Sequence, residues 1–197
     1  MNRLMLTIAA AAVLAVSMLF AADEKTTKAP VFTLKNYDGT EVKLADYNGK
    51  IVVLEWFNYE CPFSRYNYEK TSAVNDLVNK YKDKNVVWLA INSTGHQETA
   101  KNKEFAEKNK ISHPILDDSS GKTGKAYGAK TTPHIFIINP EGNIAYNGAI
   151  DNAPLGETPK DEKLISYVDK ALEELTAGKT VSTATTKPYG CSVKYGK

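Results

Sequence analysis

The sequence predicts an α/β fold: a mixed central sheet with helices on both faces, an N-terminal β-hairpin and a C-terminal tail. Three observations predict it. Ile51-Val52-Val53-Leu54-Glu55-Trp56-Phe57 and Val86 to Ile91 are near-continuous apolar runs, as expected of strands covered on both faces. Between them Val74, Leu77, Val78 and Tyr81 recur at i, i+3, i+4 and i+7, the spacing of an amphipathic helix. Strands that alternate with helices in this way pack into one sheet between helical layers.

The elements follow in order. Phe32 and Leu34 alternate with polar residues, Asp38-Gly39 makes a turn, and Val42 and Leu44 alternate again, which reads as the hairpin. The first buried strand, Cys61-Pro62, the first helix and the second buried strand come next. Gln97 to Lys110 reads as a polar surface helix around Phe105 and Ala106. Ile135 to Ile138 is a third strand, Pro140 to Asn143 a turn, and Ile144 to Tyr146 a fourth strand pairing back on it. Leu164, Ile165, Val168, Leu172 and Leu175 give a last amphipathic helix, closed by Gly178. Residues 179–197 are polar and aperiodic, yet their aromatics and Cys191 predict a tail docked on the domain formed by residues 23–178.

The chain has 197 residues, with Lys+Arg 25 against Asp+Glu 23 and a net charge of +2. This balance excludes a charge-driven disordered chain and argues against a nucleic-acid binder. One domain of this size buries a core without crosslinks. Its two cysteines are too few for a disulfide scaffold or a cysteine-based zinc site. No phosphate loop, nucleotide fingerprint or Ser-His-Asp arrangement occurs, so no cofactor is implied.

From Leu4 to Ala22 no residue is charged, Arg3 precedes the run, and Ala21-Ala22 stands before Asp23-Glu24. Residues 1–22 therefore read as a secretory signal peptide, with periplasmic or secreted localisation. Membrane contact is expected only if this segment is left uncleaved as an anchor.

Cys61 falls where a buried strand gives way to a helix, with Pro62 at the first helical position. A thiol there meets unpaired N–H groups and the positive end of the helix dipole, which favour the thiolate. Arg65, one turn on, adds to this, whereas Glu60 opposes it if it points inward. Glu55 has two readings: a carboxyl in an apolar strand titrates high and serves as general acid or base, or it turns to solvent at a sheet edge. Asn92-Ser93-Thr94 fits a glycosylation acceptor at the end of a buried strand.

Several motifs carry a resemblance. They are Leu44 to Lys50 before the strand, Cys61-Pro62-Phe63 with Arg65, Gly128-Ala129-Lys130-Thr131-Thr132-Pro133-His134, Tyr146 with Gly148 to Asp151, and the closing Pro188-Tyr189-Gly190-Cys191-Ser192-Val193-Lys194-Tyr195. The chain resembles exported redoxin-domain proteins of the alkyl hydroperoxide reductase / thiol-specific antioxidant superfamily, which have the thioredoxin fold. The resemblance implies that Cys61 is the attacking cysteine and that Pro133 is the cis proline lying against it. Glu55 matches the buried acid that relays protons in thioredoxins. Ser64 stands where the second cysteine of C-x-x-C would be, so the usual resolving thiol is absent. A mixed disulfide on Cys61 needs a second thiol to release it, and Cys191 is the remaining cysteine. The expected function is thiol–disulfide oxidoreduction with Cys191 resolving. Its partners would be a protein or small-molecule disulfide and an unidentified thiol electron donor. An inert staple is the competing role for the pair, since in the chain-entropy model closing so long a loop stabilises a fold by at most roughly 5 kcal/mol.

Three rivals stand beside this reading. A thiol peroxidase would pass through a sulfenic acid on Cys61. Against it, Asn58 and Leu54 stand where peroxiredoxins carry Thr and Pro. A copper-binding module would use Cys61, Cys191 and His134, with His96 and His113 left as solvated loop residues. A non-catalytic interaction domain would present Tyr59, Tyr66 and Tyr68 as a contact surface.

Overall fold

The computed structural model describes residues 27–196, so the signal-peptide reading of residues 1–22 lies outside the described residues. β1 (Thr33–Asn36) and β2 (Glu41–Lys43) form the expected hairpin. β3 (Ile51–Trp56) leads to a four-residue helix α1 (Pro62–Arg65), a π-helical turn over Tyr66–Lys70 and α2 (Ala73–Tyr81). Then come β4 (Val86–Asn92), α3 (Thr99–Lys108), β5 (Ile115–Asp117) and α4 (Lys122–Tyr127). The chain closes with β6 (Thr131–Thr132), β7 (His134–Ile138), β8 (Ile144–Gly148), α5 (Tyr167–Thr176) and β9 (Cys191–Ser192). No helix of the described residues is long and apolar enough to cross a membrane.

Seven strands make one mixed sheet in the order β2-β1-β5-β4-β3-β7-β8. β3 runs parallel to β4, from Ile51 opposite Val86 to Trp56 opposite Ile91, and antiparallel to β7 on its other side. That interior position explains its unbroken apolar run: side chains leave a strand on alternate faces, and both faces are covered. Ile51 and Val53 pack with Leu77, Tyr81, Trp88, Phe105 and Leu172 under α2, α3 and α5. Val52, Leu54 and Trp56 point the other way, onto Leu44, Leu89, Tyr127 and Phe136. Each fully buried Val, Leu or Ile side chain here contributes roughly 1.5–3 kcal/mol relative to an exposed one.

The sequence reading did not include β5, α4 or the two-residue strands β6 and β9. β5 is three residues long, too short to show alternation, and α4 contains Gly124, a residue that weakens any helical signal. The last helix also starts later than its periodicity predicts. Ser166 caps α5 by accepting from the Asp169 N–H at 3.4 Å, which leaves Leu164 and Ile165 outside it and exposed. The tail is docked as expected: β9 pairs antiparallel with β6, Cys191 opposite Thr132.

Candidate active site

The site begins where β3 ends. Asn58 turns the chain: its Oδ1 accepts from the Glu60 N–H at 2.8 Å and its carbonyl from the Cys61 N–H at 3.1 Å. Cys61 then caps α1, with Pro62 at the first helical position. Its side chain is buried, and its thiol donates to the Thr132 carbonyl at 2.9 Å, next to the cis Thr132–Pro133 peptide.

The tail supplies the other half. Val193 N–H donates to the Lys130 carbonyl at 3.0 Å, Gly95 N–H to the Lys194 carbonyl at 2.8 Å, and the Tyr195 hydroxyl to the Ala129 carbonyl at 2.8 Å. Gly124 is small because Tyr195 lies on it: a Cβ there would come 2.7 Å from that ring and its hydroxyl. So placed, Cys191 stands opposite Thr132, the residue whose carbonyl accepts from the Cys61 thiol, and the two cysteines shift each other's acidity. Both cysteines are free thiols.

Their electrostatics are unequal. Burial pushes the Cys61 thiol up, but the Thr132 hydroxyl, the Ser64 N–H and the Cys191 thiol and N–H outweigh it and hold the thiol below its ordinary value. The Thr132 hydroxyl is buried with no hydrogen-bond partner, free to turn its proton onto a thiolate. Cys191 goes the other way, pushed up to about 11 by burial and then by the Cys61 sulfur beside it. A Thr132→Val variant, which keeps the shape and removes the hydroxyl, is expected to raise the midpoint of the pH profile for alkylation of Cys61. An unmoved midpoint would assign the stabilisation to Ser64 and Cys191 alone.

Of the residues singled out in the sequence, the fold brings Cys61, Cys191 and Pro133 together. Arg65 is elsewhere: its guanidinium turns to Glu69, at 2.9 Å, and is half exposed. Glu55 does not reach solvent. β3 lies in the middle of the sheet, and Glu55 is fully buried on the α2/α3 face. There its Oε2 accepts from the Tyr68 hydroxyl at 2.7 Å and from Trp88 Nε1 at 3.0 Å, while Oε1 has no partner. Burial, only partly offset by those donors, raises its carboxyl to about 7. It makes no hydrogen bond to either sulfur.

Other readings change as well. Tyr68 is core, not surface, and His113 is buried rather than solvated, its Nε2 3.2 Å from the Tyr68 hydroxyl. Burial drives His113 down to about 3, so it is a neutral imidazole. His134 accepts from the Lys130 N–H at Nδ1 (3.2 Å) and pairs with Asn147 at Nε2 (2.7 Å). With both ring nitrogens engaged, it is not a third ligand beside the cysteines. Asn92 is fully buried and donates to Asn102 at 3.0 Å, which closes it to glycosylation. What the sequence reading missed, Thr132 and the Tyr189–Phe63 contact, lies inside its own motifs but has no signal in spacing.

A mixed sheet with helices on both faces, a cysteine at a helix start and a cis proline against it define a thioredoxin-fold redoxin. Residues 26–147 match the AhpC/TSA family, and the chain belongs to it. Among curated relatives, thiol-disulfide oxidoreductase ResA of Bacillus cereus is 27% identical over 64% of this chain and 71% of its own length. Chloroplastic peroxiredoxin Q of Triticum aestivum is 28% identical over 66% and 63%. The matches therefore span about two thirds of these relatives. Among solved structures, an uncharacterized conserved protein of Geobacillus kaustophilus aligns with TM-score 0.77 and 27% identity, covering 87% of this chain and 92% of that one. The thioredoxin domain of a thiol-disulfide oxidoreductase from Bacteroides vulgatus aligns with TM-score 0.54 and 25% identity, covering 62% and 86%. Family and relatives make this chain an oxidoreductase.

Proposed function

We propose that the protein is an exported thiol–disulfide oxidoreductase in which Cys61 attacks and Cys191 resolves. The observation that supports this reading is the β6–β9 pairing, which sets Cys191 opposite Thr132, the residue whose carbonyl accepts from the Cys61 thiol. The Cys61 thiolate attacks one sulfur of a substrate disulfide, that bond breaks, and the first half leaves as a thiolate. Cys191 then attacks the Cys61 sulfur, releases the second half and leaves a Cys61–Cys191 disulfide. An external thiol donor returns two electrons and resets the pair. Pro133 and Thr132 wall the site, and Glu55 is a buried proton store on the strand that leads to Cys61. Arg65 serves as a surface ion pair in this scheme. The export expectation rests on residues 1–22.

The inert-staple and working-couple readings differ in potential. Equilibration with glutathione is expected to place the Cys61–Cys191 couple above about −300 mV, where the glutathione pool exchanges electrons with it. A lower value overturns the working couple. A peroxide substrate is the second reading, favoured by the similarity to peroxiredoxin Q and disfavoured by Leu54 and Asn58, both held in the β3 core and its closing turn.

A further inference from the structure

The chemistry just proposed needs Cys191 held beside Cys61, yet β6 and β9 are only two residues long each. Downstream anchors hold one side of Cys191. Its upstream side is held by Tyr189, two residues away. The Tyr189 hydroxyl donates to Asp151 Oδ1 at 2.6 Å, and its ring lies 6.1 Å from the ring of Phe63, centre to centre. Phe63 is the second residue of α1, so the tail is tied to the helix that Cys61 caps. Asp151 is itself fixed: the same Oδ1 accepts from the Ala153 N–H at 2.8 Å, and its backbone bridges to Ser166, the cap of α5. Between Tyr189 and Cys191 the chain has little freedom. Gly190 takes a φ of 129°, and a Cβ there would run into the Thr132 carbonyl.

We propose that Asp151 and Tyr189 form a latch that positions the Cys191 thiol on Cys61 and shuts the tail over the site. The latch rests on the reading of Cys191 as the resolving thiol. Tyr189 is a positioning residue, since it touches neither sulfur. Its contact sets two quantities at once. It raises the effective concentration of Cys191 at Cys61, as any restriction of a tethered partner does. It also keeps Cys61 only 2% exposed, so a bulky substrate reaches the sulfur only when the tail lifts.

The test equilibrates the full chain with reduced and oxidised glutathione. The two protein thiols give up two electrons and two protons, and oxidised glutathione becomes two thiols. Tyr189→Phe and Asp151→Ala are expected to lower that equilibrium constant about tenfold, the scale of one charge-assisted hydrogen bond. Asp151→Asn keeps an oxygen that accepts the tyrosine proton and is expected to stay within about threefold of the parent. In a Cys191→Ser background, Tyr189→Phe is expected to speed alkylation of Cys61 by iodoacetamide about tenfold, the same contact now read as access. Far-UV circular dichroism and the melting temperature check that each variant is folded. A Tyr189→Phe protein with both readouts unchanged overturns the latch, and an Asp151→Asn variant no better than Asp151→Ala overturns the role of its acceptor. A parent chain that forms no Cys61–Cys191 disulfide at any glutathione ratio overturns the resolving role instead, and the latch then stands or falls on the alkylation rates.

Discussion

A Cys191→Ser variant is expected to stop after one event, with half of the substrate disulfide left covalently on Cys61. The serine hydroxyl is close in shape to the thiol but does not attack a disulfide sulfur at neutral pH, so the mixed disulfide waits for an external thiol. Multiple turnover should fall about a hundredfold or more, the scale by which a tethered partner exceeds a free one. Mass spectrometry after exposure to a model disulfide should find the adduct on Cys61, and none in Cys61→Ser. In the proposed scheme the site also orders the two steps. While Cys61 is a thiolate, its sulfur helps to hold the Cys191 thiol at about 11, so Cys191 stays protonated. Once Cys61 enters a mixed disulfide that charge is gone, one cause of the raised value is removed, and Cys191 becomes a better nucleophile when it is needed. A Cys191→Ser protein that turns over at the parent rate would make Cys191 a structural thiol and the tail a strap.

How much of this was legible beforehand depends on the range of the interaction. β3 and β4 were readable because burial on both faces writes itself into one continuous apolar run. Cys61 was readable because Pro62 marks the first turn of a helix, and the tail because Tyr189, Cys191 and Tyr195 are costly to leave in water. Other features were set by partners far along the chain. The glycine at position 124 inside α4 makes sense only once Tyr195 is lying on it, and Gly190 only once Thr132 is beneath it. Arg65 has Glu69 one turn away, and a local i,i+4 pair outcompeted the longer reach to Cys61. Tyr68 and His113 looked like surface or loop residues because nothing in their neighbourhood announces a buried carboxyl at Glu55 that requires a donor.

That carboxyl carries the second large expected effect, on stability. Glu55 titrates at about 7 in the folded chain against 4.5 when solvated. Between those values the folded state keeps a proton that the unfolded state has lost. Folding therefore binds protons in this window, and stability from this group must fall as pH rises. The contribution is fully present below pH 4.5 and is lost as pH passes through about 7. The gap between those two values corresponds to about 3 kcal/mol. Glu55→Gln is neutral throughout and retains an oxygen for Tyr68 and Trp88, so it mimics the protonated acid at every pH. Urea unfolding should show parent and variant nearly equal at pH 4.5, with the variant more stable by about 3 kcal/mol at pH 9. Parallel curves across that range would mean that Glu55 does not titrate there. This acid, one of its oxygens without a partner, carries a cost to the fold at neutral pH that a glutamine would remove. That argues for a use of its proton. The same variant should flatten the alkaline limb of the turnover profile, and a Glu55→Gln protein with the parent's pH–rate curve would leave the carboxyl with a structural role alone.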